Sequence, residues 1–227
     1  MIGKKARFID LSRPIHSHMP VFHRAFKTFT GIYRPHVPIQ SLDDFSVSSG
    51  IIVMGDHNGT HVDATIHFDP NGKPVDQIPL ELMCGPAIVH DFSHKEEHAI
   101  VTPEEIERKF REARVSPSEI KITLFRTGAD EHYGTERFAN YYLDFLPESI
   151  EWLLDHGIKV MGVDALAIDS DPFKRAHMVV RRREYYHYEN LAHLDKVLGR
   201  VFLFIGFPLK LQGLTGSPIR AVAILED

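Results

Sequence analysis

The stretch that decides how this chain is interpreted is His57-Asn58-Gly59-Thr60-His61-Val62-Asp63-Ala64-Thr65-Ile66-His67. Three potential metal ligands, His57, His61 and Asp63, lie close together, and the Asn58-Gly59 pair between them is a strong turn signal. Two imidazoles and one carboxylate suit zinc, manganese or iron, and they leave coordination positions open for water and a substrate. The stretch therefore predicts a catalytic metal site rather than a structural one.

The backbone of this stretch has two possible conformations at the level of sequence. From His61 to His67 polar residues alternate with apolar ones, which suits an extended segment that presents its polar groups on one face. A helix would also bring His57 near His61. A third interpretation gives each histidine a separate hydrogen bond or an exposed position, but it is less favoured for so dense a group of candidate ligands.

Outward from the stretch, short apolar runs rich in β-branched residues predict strands. These runs cover residues 6–11, 45–54, 87–92, 120–125, 159–163, 201–206 and 220–225. Thr102, Pro103 and Glu105 form a capping signal that predicts a helix to about residue 114, and a second helix is predicted from about 148 to 155, ending before Gly157. The pattern predicts an α/β fold with a mixed β-sheet and flanking helices, in one domain over residues 1–227.

Composition excludes several classes of function. The net charge is -5, and the single basic run, residues 181–183, is followed at once by Glu184, so nucleic acid is not an expected partner. The single cysteine, Cys84, excludes an internal disulfide. No apolar stretch of membrane-spanning length and no secretion signal is found, so we expect no membrane association and a cytoplasmic location.

The pattern His57-x-Gly59-Thr60-His61-x-Asp63-x-x-x-His67 closely resembles the HxGTHxDxPxH signature of the cyclase-like metal hydrolases. That family includes bacterial kynurenine formamidases, isatin hydrolases and some dienelactone hydrolases. The resemblance extends to residues 10–12, 126–128, 162–164, 189–191 and 208–221, and so covers nearly the whole chain. It implies the fold of that family, of the swivelling β/β/α type.

The resemblance also implies roles for individual residues. His57, His61 and Asp63 would bind a first divalent metal, zinc or manganese, and His67 would be the acid/base group. In the formamidase branch Asp63 would bridge to a second ion, and the expected ligands of that ion are His177 and Glu189. The site would then hold one or two ions per chain. The family tends to form homodimers or larger homo-oligomers, so we expect self-association.

Three positions depart from the family pattern. Thr65 stands where the signature has proline, which should affect the rigidity of the loop more than the identity of the ligands. Ala129 stands where many members of the family carry an aromatic residue, and Phe22 stands where formamidases tend to have tryptophan. These departures leave open whether the substrate is aromatic.

The predicted reaction is attack of water on the carbonyl carbon of a small amide, lactam or ester. The alternative is a mononuclear non-haem iron oxygenase, because His61, Asp63 and His177 also match a site of two histidines and one carboxylate. That alternative leaves His57 and His67 without a role. A non-catalytic metal-binding protein is the third hypothesis, and it predicts tightly bound metal without an open coordination position.

Overall fold

The computed structural model describes residues 5–21, 31–33 and 51–226. Its first strands are β1 (Arg7–Asp10), β2 (Gly31–Tyr33), β3 (Ile51–Val53), β4 (His61–Asp63), β5 (Cys84–Asp91), β6 (Ile100–Val101) and β7 (Ile122–Arg126). They are followed by β8 (Asp144–Phe145), β9 (Val160–Val163), β10 (Tyr186–Glu189), β11 (Val201–Ile205), β12 (Gly216–Pro218) and β13 (Val222–Leu225). The α-helices within these residues are α1 (Pro103–Ala113) and α2 (Pro147–Asp155).

Nine strands form one mixed sheet in the order β1-β13-β11-β5-β7-β9-β10-β4-β12. The pairs β5-β7, β7-β9 and β9-β10 are parallel, whereas the strands on both sides of this central group pair antiparallel. The short strand β4 lies near one end of the order, between β10 and β12. The ligand-rich stretch is therefore fixed on both sides by backbone ladders.

Both helices begin and end where the sequence predicts. Thr102 and Glu105 form the reciprocal capping box at the start of α1, with Pro103 in the first turn. Arg114 ends this helix in the left-handed conformation, at φ 57°. After α2 the chain turns at Gly157, whose φ of 84° favours glycine.

Two apolar clusters lie on opposite faces of the sheet. On β7, Leu124 belongs to one cluster and Phe125 to the other, as expected when successive side chains point to opposite faces. The cluster that contains Phe125 also includes the buried faces of α1 and α2. Val62 of β4 and Tyr188 of β10 point into the second cluster. Their polar neighbours on each strand consequently lie on the opposite face.

The predicted α/β fold with a mixed sheet and flanking helices is confirmed. The strand predicted at 45–54 corresponds to β3, and residues 45–50 lie outside the described residues. The sequence patterns missed the short strands β10 and β12, which border the site, whereas β4 lies in the segment for which an extended conformation was one of two alternatives. A single domain over residues 1–227 stays a prediction. Among the described residues, no helix combines the length and apolarity needed to cross a membrane.

Candidate metal centre

The antiparallel pair β4-β10 forms the centre of the site. His187 lies opposite Asp63, and Glu189 lies opposite His61. Residues two apart on a strand share a face, so all four side chains project from the same side of the sheet. They are between 2% and 6% exposed, which is unusual for charged or polar groups unless they are paired or bind metal.

The donor atoms on this face have the spacing of ligands around a common ion. His61 Nε2 lies 3.2 Å from Asp63 Oδ1 and 3.5 Å from Glu189 Oε2. His187 Nε2 lies 3.2 Å from Asp63 Oδ2 and 3.4 Å from Glu189 Oε1. Two atoms that bind one tetrahedral zinc at about 2.0–2.1 Å are about 3.3 Å apart. The strand register alone therefore sets distances suited to metal coordination.

Each carboxylate faces two imidazoles with different oxygens. Asp63 Oδ1 and Glu189 Oε2 face His61, whereas Asp63 Oδ2 and Glu189 Oε1 face His187. A carboxylate that offers one oxygen to each side can bridge two metal ions. The arrangement is thus compatible with two adjacent ion positions.

His177 reaches the same centre from outside the sheet. It begins the 3₁₀ helix His177–Arg181, and its Nε2 lies 3.5 Å from Glu189 Oε1. On the opposite side of the ring, Nδ1 lies 3.1 Å from Asp169 Oδ2, and Lys174 Nζ lies 3.2 Å from the other oxygen of Asp169. This contact is an ion pair rather than a well-aligned hydrogen bond, and a carboxylate behind a histidine favours the tautomer that leaves Nε2 as the metal-facing atom.

His57 is held by a chain of hydrogen bonds that begins outside the site. The Thr215 hydroxyl donates to Asp56 Oδ2 at 2.8 Å and lies 2.8 Å from His57 Nε2. His57 Nδ1 lies 2.7 Å from Asp63 Oδ1. Gly216 leaves room for the ring, because a Cβ atom there would lie 2.7 Å from His57 Cε1.

His67 occupies the mouth of the site. The 3₁₀ helix Thr65–His67 follows β4, and His67 Nε2 lies 3.9 Å from Asp63 Oδ2. Its side chain is 34% exposed, against 5% for Asp63. The His67 ring contacts the ring of Phe68, with 4.5 Å between centroids. His67 is thus the accessible imidazole beside a buried ligand cluster.

The two carboxylates dominate the electrostatics. Burial opposes protonation of His57 and His187, but the charge of Asp63 outweighs it and raises the pKa of His57 to about 9 and that of His187 to about 10. Burial raises the pKa of Asp63, yet the charges of His57 and His187 hold it well below its usual value. Burial lowers the pKa of His67 to about 4, so His67 is neutral near pH 7.

The donor set fits a divalent cation. His61 Nε2, His187 Nε2 and Glu189 Oε1 are buried and have no hydrogen-bond partner among the described residues. The other nitrogen of His61, Nδ1, donates to the Gly59 carbonyl at 2.9 Å, which leaves the lone pair of Nε2 directed at the carboxylates. Unsatisfied buried polar atoms are costly, and one or two cations coordinated here would satisfy them together.

The structure brings all residues singled out from the sequence into one cluster: His57, His61, Asp63, His67, His177 and Glu189. Their individual roles as ligands or acid/base group remain predictions. Sequence reasoning missed His187 and Asp169. The pair His187-x-Glu189 repeats the spacing of His61-x-Asp63, and this repeat was the available signal.

The backbone of residues 61–67 is extended in its first part and helical in its second. Extended structure ends at Asp63, and a 3₁₀ helix then carries His67. The side chain of Thr65 anchors the following loop, because its hydroxyl oxygen accepts a hydrogen bond from the backbone N–H of Lys73 at 2.7 Å. Ala129 is fully buried in the core, and Phe22 lies outside the described residues.

A cavity of about 410 Å³ opens above the cluster. His67 and Asp63 lie along its polar side, and Phe68, Leu166 and Ala167 form an apolar wall. A small molecule placed here would contact the apolar wall and the metal-facing side chains at once.

Comparison with known proteins agrees with this geometry. Residues 9–170 match the model of the family described as putative cyclase. A kynurenine formamidase of Paracidovorax citrulli is 32% identical over 219 residues, which cover 94% of each chain. Isatin hydrolase A from Labrenzia aggregata, in complex with benzyl benzoate, has 26% identity and a TM-score of 0.82 over 98% of this chain and 94% of that one.

A further isatin hydrolase, in complex with the product analogue thioisatinate, shares the fold, with 22% identity and a TM-score of 0.83 over 98% of this chain and 94% of that one. Fold, relatives and ligand cluster together define a metal-dependent hydrolase that acts on amide C–N bonds, the class that the sequence motif predicts. The chain belongs to the putative cyclase family. The comparisons give no support to the iron oxygenase alternative.

Proposed function

We propose that this chain hydrolyses the formamide bond of a small aromatic N-formyl amine, with two divalent ions, zinc or manganese, held by the cluster. The observation that supports the proposal most strongly is the set of ligand-to-ligand distances of 3.2–3.5 Å between the imidazoles and carboxylates of β4 and β10. In the reaction, water adds to the formyl carbon, the C–N bond breaks, and formate and an aromatic amine are released.

Each ligand has a proposed place. His57, His61 and Asp63 would hold the first ion, and Asp63, His177 and Glu189 would hold the second. When bound, a divalent cation supplies a water of lowered pKa and a Lewis acid for the carbonyl oxygen. The side chains contribute fixed positions, because strand register places Asp63 and Glu189, and Asp169 orients His177.

His67 is the proposed acid/base group. It is neutral near pH 7, because burial lowers the pKa of His67 to about 4, so its Nε2 can accept a proton from the attacking water. The same nitrogen then donates that proton to the amide nitrogen as the C–N bond breaks. His67 is suited to this task because it is partly exposed at the mouth, unlike the deeply buried His61 and His187.

The cavity supports an aromatic substrate. Phe68, Leu166 and Ala167 offer apolar contacts in the same cavity as His67 and Asp63, so a planar ring can pack on the apolar residues while its formamide group faces His67 and Asp63. The kynurenine formamidase relative acts at a bond of this kind. The apolar residues also limit the access of bulk water to the cavity, apart from the one water that attacks the formyl carbon.

A direct assay tests this function. Protein stripped with a chelator and reloaded with zinc or manganese is supplied with N-formylkynurenine, isatin or a small lactone, and formate or the opened product is measured. We expect N-formylkynurenine to be the best of the three substrates, with activity lost on stripping and regained on reloading. A fully loaded protein that turns over isatin or the lactone but not N-formylkynurenine would contradict the proposal.

Self-association as a homodimer or larger homo-oligomer is proposed on the resemblance alone, and light scattering on the purified protein tests it. A cytoplasmic location stays a prediction.

A further inference from the structure

We propose that His187 is a third protein ligand of the second metal ion, beside His177 and Glu189. This inference rests on the proposed metal-dependent function but concerns a residue that the family signature does not include. It would give the second ion two imidazoles and one carboxylate, with Asp63 as the bridge. An ion held in this way would be bound more tightly than one with His177 and Glu189 alone.

Strand register determines where His187 points. It lies opposite Asp63 on β10, two residues before Glu189, so its side chain shares their face of the sheet. It is only 4% exposed, and therefore it is neither a surface histidine nor accessible for proton exchange at the cavity mouth. Its ring packs edge-on against His177, with 4.9 Å between ring centroids.

Nε2 of His187 points at the two carboxylates but forms no well-aligned hydrogen bond with either of them. Nε2 is buried and has no hydrogen-bond partner among the described residues, although carboxylate oxygens of Asp63 and Glu189 lie 3.2 and 3.4 Å away. A charge-assisted hydrogen bond would be shorter, about 2.7–2.9 Å. Separations of 3.2–3.4 Å are those of atoms that share an ion, and donor atoms of His177, His187 and Glu189 lie within 4.8 Å of one another.

The competing role for His187 is that of a permanent positive charge. A protonated ring between Asp63 and Glu189 would neutralise the carboxylates and leave the site with fewer ions. The two roles predict opposite effects when the imidazole is removed. Loss of a ligand weakens metal binding, whereas loss of a positive charge makes the site more negative and strengthens it.

The test compares metal binding by the wild-type chain, His187→Leu and His187→Gln. Zinc is titrated against a competing chelator, and the bound metal is counted by elemental analysis. His90→Leu is the matched control, because His90 is a similarly buried histidine on β5 that does not line the cavity. The circular dichroism spectrum shows whether each variant is folded, and the Gln variant keeps a polar group if Leu disrupts the core.

We expect two ions in the wild-type chain and in the control, and a second ion bound more than about 100-fold more weakly in both His187 variants. This estimate follows because losing only an outer partner of a ligand costs about 10- to 100-fold. Unchanged or tighter binding in the variants would overturn the assignment of His187. A wild-type chain with a single ion would also overturn it, together with the two-ion form of the proposed function, but would leave the first site and the hydrolysis of the formamide bond intact. A chain that binds no ion would contradict the proposed metal-dependent hydrolysis as well.

Discussion

The cluster is built from two kinds of support. His61, Asp63, His187 and Glu189 are carried by paired strands, and backbone register sets their spacing. His57, His67 and His177 come from loops and 3₁₀ helices, and for two of them partners outside the cluster fix the ring. Thr215 with Asp56 holds His57, and Asp169 holds His177.

The two kinds of support differ in how firmly they hold a metal ligand in position. Backbone register fixes the position of a strand-borne ligand, so neighbouring groups cannot shift to replace it and its removal should weaken binding strongly. A loop-borne ligand depends on side-chain hydrogen bonds worth about 1–3 kcal/mol each, so its orientation can be loosened in steps. Among the described residues, His67 contacts mainly the rings of His57 and Phe68, as suits a group that exchanges protons.

The largest effect is expected from the strand-borne carboxylate. Asp63→Asn removes the negative charge between His61 and His187, so both proposed ions should bind more than about 100-fold more weakly, and turnover should fall to background. Metal content after dialysis measures this, with Asp10→Asn on β1 as the control. Full occupancy in the Asp63 variant would mean that the strand pair is not the metal site.

His67→Gln tests the mouth of the site. Because His67 is assigned to proton transfer, the variant should keep its metal and lose about 10²- to 10⁴-fold in turnover. Turnover and bound metal are measured on the same preparation. If the variant loses metal, His67 belongs with the ligands, and if turnover survives, the proton passes through another group.

The outer support of a loop-borne ligand should show an intermediate effect. Asp169→Asn replaces the carboxylate behind His177 with an amide, so the second ion should bind about 10- to 100-fold more weakly, and turnover should recover at saturating metal. Asp171→Asn, in the same loop but paired with Arg175, is the matched control. Equal affinities for both variants would show that His177 needs no support from Asp169.

The smallest effect concerns a buried histidine outside the cluster. Burial and the charge of Lys109 lower the pKa of His90 to about 4, so the folded chain keeps His90 neutral while the unfolded chain protonates it near pH 6.5. Stability is therefore lost as pH falls from about 6.5 towards 4. Between pH 7 and pH 5 the wild-type chain should lose about 2 kcal/mol more than His90→Leu.

Urea unfolding of metal-free protein at both pH values measures that difference. Taking the difference between the two proteins cancels the titration of the histidines that they share. If the wild-type chain and His90→Leu lose the same stability, then either His90 is protonated in the folded chain or keeping it neutral costs no free energy.

The sequence predicted those features of the fold that depend only on neighbouring residues. The capping box at Thr102 and Glu105 and the turn at Gly59, with φ 72°, follow from neighbouring residues, and both are present. The pairing of β4 with β10 joins residues far apart in the chain, so no local pattern reveals that Asp63 faces His187. The roles of His177 and Asp169 depend in the same way on a long-range contact.

Family resemblance supplied His177 and Glu189 as candidates, but it could not supply His187, which the quoted signature does not contain. The spacing of His187-x-Glu189 repeats that of His61-x-Asp63, but it points to His187 as a ligand only when the pairing of β4 with β10 is known. Short strands such as β4 and β12 also lack the length that makes a periodic pattern recognisable.

Anomalous X-ray scattering from crystals of the zinc-loaded protein shows whether β4 and β10 together hold the metal. If they do, two zinc peaks should lie about 3.5–4 Å apart between the two strands, with oxygens of Asp63 bound to both. One of these peaks should also contact His187. Zinc density away from the strand pair, for instance at the surface group of Asp130, His193 and Asp195, would contradict this placement of the metal.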